Sequence, residues 1–289
     1  LAQVISEPLV LFYARSGVGK SSLINTRLVP SLKEENFAVL PVGRVGGSLP
    51  DNSDKIDNIF VFNLLTSLAP DDTPLNDLSN MTLSAYLKKE KQTRPSQESG
   101  RVLIIDQFEE IINTNQDYWQ HREQFFRQLN EAIQDDDLLW VVLAMREDFV
   151  PALDPYASFM ADRMRNRFYM EQMKIGNAIE AVREPAILGG RPFAPGVAEK
   201  LVDDLRLQQS VDPLTTKPIL SQFVEPVHLQ VVCYQLWQNL KVRSLEEITL
   251  QDLDELGNID TALLQFYEQS ITRVLQEFKI SELELRNWF

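Results

Sequence analysis

Only one cysteine, Cys233, and two histidines, His121 and His228, occur among the 289 residues. A single thiol excludes an internal disulfide and any cysteine-built zinc site, and it fits a reducing, cytoplasmic setting. The two histidines are far apart and neither has an accompanying carboxylate cluster, so packing or surface roles are expected for both. Long apolar runs are also missing. The longest, "LLWVVLAM" at 138–145, falls well short of the ~20 residues a membrane helix needs, so no membrane span is expected. Positive charge is scarce, with 28 Lys and Arg against 42 Asp and Glu and a net charge of −14. Such a chain repels phosphate backbones at long range, which makes nucleic acid an unexpected partner. Half of the net charge lies in residues 244–289, where ten carboxylates face Arg273, Lys279 and Arg286. There is no internal repeat, low-complexity tract or signal-peptide pattern. The chain starts at Leu1 and stops at Phe289 inside a helical pattern, as expected of a piece of a longer protein.

What is present is a 44% apolar composition, enough for substantial cores. "LVLFY" at 9–13, "FAVLPV" at 37–42, "RVLIID" at 101–106, "LWVVLAM" at 139–145 and "RFYME" at 167–171 read as strands, several of them apolar on both faces as parallel sheets require. Between them, "SSLINTRLVPSL" carries a helix until Pro30, and residues 59–87 show helical spacing broken by "APDDTP". An amphipathic helix with Trp119, Phe125, Phe126 and Leu129 follows. Residues 43–58 and 88–100 read as loop and solvated connector. The alternation implies an α/β fold with a doubly wound parallel sheet. From about residue 173 strand signals vanish and an all-helical unit is expected. It includes a helix whose core face carries Leu229, Val232, Cys233, Leu236, Trp237 and Leu240. Thr249 and Asp252 read as a capping box.

The chemistry concentrates at "FYARSGVGKSSLI", residues 12–24. Ala14, four residues, then Gly19, Lys20 and Ser21 fit a phosphate-binding loop between a strand and a helix, with alanine for the first glycine. In that reading the amides of Ser16, Gly17, Val18, Gly19, Lys20 and Ser21 wrap the β-phosphate, and Ser22 completes the nucleotide-binding set. Lys20 reaches the β and γ oxygens and the Ser21 hydroxyl ligates Mg²⁺. Asp106 ends a buried strand, as the second magnesium-shell residue does in such sites. Glu109 and Glu110 follow at the sheet's carboxyl edge; either serves to orient or deprotonate an attacking water, Glu110 being preferred. Arg146 leaves the strand 139–145 where a γ-phosphate would lie, as a sensor of that phosphate or as an ion-pair partner of Asp148 or Glu147. Arg163, Arg165 and Arg167 form either a basic surface or a source of an arginine acting in trans.

"YARSGVGKSSLINTRLVPSL", "VLIIDQFEE", "VVLAMREDF", "AVREPAILGG" and "EPVHLQVVCYQLW", in that order, resemble the STAND class of signalling ATPases, specifically its bacterial novel-STAND group. The likeness covers nearly the whole chain. It implies a P-loop nucleotide-binding domain (1–172), a helical lid (173–243) and the start of a winged-helix domain (244–289). In related NACHT and apoptotic ATPases the magnesium aspartate is followed by two acids, a pattern that Asp106, Glu109 and Glu110 match, and Arg146 matches their sensor arginine. Pro226 resembles the lid proline beside the nucleotide base, although Glu225 replaces an apolar residue. The resemblance implies a slowly hydrolysing switch with ATP or ADP and Mg²⁺ as cofactors, self-association when ATP-bound, and fused or associated sensor and effector domains. An AAA-type motor and a winged-helix DNA reader are the alternatives. The first is disfavoured by the lack of a substrate-threading loop, the second by the acidic carboxyl end.

Overall fold

Strands without a polar face need cover on both sides, and this requirement organises the first half of the chain. The computed structural model describes residues 1–47, 56–92, 100–208, 219–240, 247–256, 259–278, 281–282 and 285. Of the segments read as loop and connector, 48–55 and 93–99 lie outside the described residues. Two units divide the chain, Leu1–Glu171 and Gln172–Phe289.

In the first unit, α1 (Ala2–Ser6) precedes β1 (Leu9–Ala14). Then α2 (Lys20–Leu23), a π-helical segment (Ile24–Leu28) and α3 (Val29–Glu34) lead to β2 (Phe37–Val39). Helices α4 (Ile59–Leu68), α5 (Leu75–Leu78) and α6 (Leu83–Gln92) reach β3 (Gly100–Ile105). Next, α7 (Glu110–Asn113) and α8 (Gln120–Gln134) reach β4 (Leu139–Arg146), and 3₁₀ turns (Glu147–Phe159) precede β5 (Arg167–Tyr169). The five strands form one parallel sheet in the order β2-β3-β4-β1-β5. Alternate side chains serve opposite layers. Leu9, Leu11, Leu103, Ile105 and Leu143 pack with Phe60, Phe108, Phe125 and Phe126 on one face. Val10, Phe12, Val102, Ile104, Val142 and Ala144 meet Ile24 and Leu32 on the other. Each such side chain contributes ~1.5–3 kcal/mol on burial, so the two layers together hold β1 and β4 fixed. Because the chain leaves β1 for the far edge and later crosses it to reach β5, the carboxyl ends of β1, β3 and β4 form a topological switch point.

Two local expectations are corrected in this unit. The first helix does not stop at Pro30 but runs on to Glu34. The wider π turn over Ile24–Leu28 ends two positions before the proline, which sits in the first turn of α3, where its missing N–H and its ring are tolerated. Trp119 is not part of the apolar face of α8: it lies just before the helix and is 59% exposed, while Phe125, Phe126 and Leu129 are fully buried.

The second unit opens with β6 (Met173–Lys174), α9 (Ile175–Leu188) and α10 (Val197–Leu205). It continues through β7 (Leu207–Gln208), β8 (Ile219–Leu220), β9 (Phe223–Val224), α11 (Pro226–Leu240), α12 (Leu250–Leu256) and α13 (Ile259–Phe278). It is therefore not all-helical. Strands β6 and β9 pair antiparallel, as do β7 and β8, but two-residue ladders are too short to leave an alternating pattern in sequence. Leu229, Val232, Leu236 and Leu240 of α11 pack with Ala178, Val182 and Leu201, and Cys233 and Trp237 sit half-buried beside them. Burial pushes the Cys233 thiol up to about 11, which keeps it protonated and unreactive. The Asp252 carboxylate accepts from both the amide (2.8 Å) and the hydroxyl (2.7 Å) of Thr249, opening α12 as the capping pair predicts.

His121 packs inside the first unit and links two of its helices. Asn58 caps α4, accepting from the amides of Phe60 and Val61 (both 3.1 Å) and donating to the His121 carbonyl (2.7 Å). The Ile59 amide donates to His121 Nδ1 at 3.2 Å, so the imidazole must be neutral to accept it. Desolvation holds the His121 pKa below its ordinary value of about 6.5. The unfolded chain then binds more protons than the folded one at mildly acidic pH. This contribution is intact above about pH 6.5 and is lost as pH falls through it. Lowering the pH from about 7.5 to about 5.5 is expected to destabilise the protein more than His121→Gln, in urea titrations read by circular dichroism. Equal pH dependence in the two proteins would remove His121 from the account.

Candidate functional site

The Cα of Ala14, where β1 ends, is in register with Arg146 at the end of β4, and Asp106 follows the last residue of β3. Between β1 and α2 the chain turns with Gly17 at φ 76° and Gly19 at φ 97°. An added Cβ would meet nothing within 4 Å at either glycine, so both are required by backbone conformation and leave the loop open for a ligand. Val18 between them is buried and pins the loop, while Ser16 is exposed. The amides of Gly17 and Gly19 donate to no protein acceptor among the described residues. Lys20 folds back over this turn, its Nζ donating to the carbonyls of Arg15 (3.1 Å) and Ala14 (3.3 Å). Burial holds its pKa below the usual lysine value; the charges of Glu109 and then Asp106 oppose that shift, and Arg146 adds to it. The helix begun by Lys20, Ser21 and Ser22 is tightened by Asn25 Nδ2 donating to the Ser21 carbonyl (2.9 Å) and Thr26 Oγ1 to that of Ser22 (2.7 Å).

Asp106 and Glu109 are both buried, each 8% exposed. One oxygen of Asp106 accepts from the Gln107 amide (2.9 Å). Glu109 Oε2 accepts from the Arg146 amide (3.2 Å), so its carboxylate lies on the β4 side of β3. Glu110 points the other way, toward the exit of β2, where Arg44 forks onto it and the Gly46 amide donates to Oε2 at 3.0 Å. Arg146 forms the ion pair that its neighbours suggested, with Nε and Nη2 on the two Asp148 oxygens at 3.1 and 2.6 Å. That pair raises the Arg146 pKa and lowers that of Asp148, and both side chains are largely exposed.

The remaining expected residues lie elsewhere. Pro226 begins α11 in the second unit and lines an apolar cavity of about 460 Å³ with Phe193, Cys233 and Trp237. Arg167 pairs in register with Leu11, and Arg163 and Arg165 precede it, so the basic triplet sits toward the amino edge of the sheet. It does not join the carboxyl-edge cluster. Among the described residues no group of three or more His, Cys, Asp or Glu side chains could hold a metal alone. Ser21 and Asp106 offer the sparse oxygen set that suits Mg²⁺, which keeps several waters and takes phosphate oxygens. Sequence reasoning missed Arg44 and Gly46, whose only signal is the glycine pair in "GRVGG".

Residues 1–281 match the family described as Novel STAND NTPase 1. No curated protein matches the chain. Among solved structures it is similar to the Aeropyrum pernix ORC2 protein in its ADP form, with 13% identity and a TM-score of 0.53 over 88% of this chain and 64% of that one. It is also similar to the A. pernix ORC1 protein in complex with DNA (11%, TM-score 0.52, 96% and 65%). A third likeness is to ORC2 in ADPNP–ADP complexes (13%, TM-score 0.53, 97% and 72%). The chain spans just under two thirds of the first two, and at such identities the likeness concerns the fold alone. With the family match running from the first residues through the β1 loop, the β3 carboxylates and the β4 arginine to residue 281, the chain belongs to the Novel STAND NTPase 1 family.

Proposed function

We propose that this chain is the nucleotide-binding core of a signalling switch that holds ADP or ATP with Mg²⁺ and hydrolyses ATP slowly. The observation that carries the reading is Lys20, half-buried at the end of a left-handed glycine turn, its Nζ folded onto the turn's carbonyls and its desolvation opposed by the charges of Glu109 and Asp106. On binding, Lys20 exchanges the carbonyls of Ala14 and Arg15 for β and γ phosphate oxygens, while the amides from Ser16 to Ser21 take the β-phosphate. When bound, Mg²⁺ neutralises charge developing on the phosphates; Ser21 and Asp106 would hold it. The ADP and ADPNP of the ORC2 structures support the same ligand class here.

We place Glu109 ahead of Glu110 as the acid that orients the attacking water. Glu109 is directed toward Lys20 and β4, whereas Glu110 is committed to Arg44 on the β2 side. Arg146 exchanges Asp148 for the γ-phosphate and so separates ATP from ADP. Pro226 supports the base, and the helices that follow the sheet act as the lid whose opening permits self-association and activation of a fused or associated effector, with a sensor domain supplying the stimulus. A net charge of −14 supports a protein partner over nucleic acid.

Lys20→Ala is expected to abolish nucleotide binding in calorimetry while the melting curve persists; unchanged affinity would refute the phosphate-loop reading. Glu109→Gln should bind ATP normally and slow its hydrolysis by about 10²-fold in single-turnover assays. Normal hydrolysis in that variant would return the role to Glu110. Arg146→Ala should leave ADP affinity within about threefold but weaken the preference for a non-hydrolysable ATP analogue by ~1–3 kcal/mol in paired titrations. An equal loss for both nucleotides would make Arg146 structural.

A further inference from the structure

The two adjacent acids at the start of α7 are sorted to opposite sides by the sheet order. Strand β3 has β2 on one side and β4 on the other. Glu109 reaches the β4 side, and Glu110 reaches the β2 side, where an unusually complete set of donors meets it. Arg44 places Nε against Oε2 (3.3 Å) and Nη2 against Oε1, and the same guanidinium donates to Gln107 Oε1. The Gly46 amide adds a further bond to Oε2 at 3.0 Å. A Cβ on Gly46 would lie 2.5 Å from that oxygen, so the glycine is there to let the carboxylate approach the backbone.

The arm that carries Arg44 is itself fixed. Its amide donates to Ser67 Oγ (2.9 Å), Asn63 Nδ2 donates to the Val45 carbonyl (3.0 Å), and both partners belong to the core helix α4. The Gly43 amide continues the ladder to Ile104 (2.8 Å), and the Gly43 carbonyl receives the Asp106 amide (2.9 Å). The result is a rigid chain of contacts from α4 through Arg44 and Glu110 to the first turn of α7, and from there through Glu109 to Arg146. Exposed ion pairs usually contribute little, but here the carboxylate is largely buried, at 14% side-chain exposure, and the guanidinium is forked onto it. Without Arg44, that buried carboxylate would keep one backbone donor and would turn toward water.

We infer that Arg44 is a positioning residue for hydrolysis: by tethering Glu110 on the β2 side it fixes the first turn of α7 and aims Glu109 at the phosphate site. The inference rests on the assignment of the water-orienting role to Glu109. Its first test needs no nucleotide. Hydrogen exchange of the nucleotide-free protein should be about tenfold faster at Gly46 and across Ile112–Thr114 in Arg44→Ala than in wild type, and close to wild type in Arg44→Lys. The second test is turnover. Arg44→Ala and Glu110→Ala should each lower kcat about tenfold with KM within about twofold, and the double variant should be no slower than either single one. Unchanged exchange in Arg44→Ala overturns the tether. Multiplicative losses in the double variant overturn it as well, because the two residues would then act separately. A joint fall in melting temperature and rise in KM, without rescue by lysine, would overturn positioning in favour of a purely structural pair. A wild type that binds ATP without hydrolysing it would refute the proposed hydrolysis, and the exchange data would still decide the tether.

Discussion

A half-buried cation on a glycine turn is unfavourable unless something opposes its desolvation, and in this protein the opposing charges come from other strands. Lys20 follows β1, and Asp106 and Glu109, which oppose its desolvation, follow β3, whereas Arg146 at the end of β4 works against them. Because β4 lies between β1 and β3, three strands must stop at the same edge, in fixed register, for those carboxylates to oppose the lysine's desolvation. The two-sided burial of β1, β3 and β4 supplies that register: every residue of β3 is buried, and a slip by one residue would move each side chain to the wrong layer. Core and site are thus one constraint seen from two ends of the same strands.

Legibility in the sequence followed the range of the forces involved. The positions of β1, β3 and β4 were readable because burial on both faces leaves an unbroken apolar run. The glycine turn before α2 was readable because Gly17, Gly19 and Lys20 act within a single turn. Asp106 and Arg146 could be placed because each directly follows an apolar run, and Glu109 because it lies three positions beyond Asp106. Arg44 could not: it meets Glu110 from 66 positions away, and no local pattern records that contact. Nor could Arg101, which heads β3 as a buried cation held by Glu90, Asp136 and the Leu87 carbonyl, since an arginine before an apolar run reads as a solvated flank. The short ladders of the second unit were missed for a related reason, two residues being less than one full alternation.

The separation of Glu109 from Glu110 shows how strand order sets partners that spacing leaves open. Adjacent residues at the start of a helix point about 100° apart, which directs them toward different neighbours. In an isolated helix that fact would not say which side each acid takes. Here β2 and β4 flank β3, and each acid takes the side its direction allows. The sorting follows from strand order, a property no window of sequence contains.

The π segment at Ile24–Leu28 separates the helix's sequence length from its physical length. Ile24 and Leu32 are both fully buried in the layer beneath β1 and β4, eight residues apart. In a regular α-helix eight residues overshoot two turns by roughly 80°, which would swing Leu32 away from the sheet. The wider turn absorbs part of that excess. An alignment of this helix to relatives by helical period alone would therefore slip by about one residue after Leu28, assigning the core position of Leu32 to a neighbour that faces solvent.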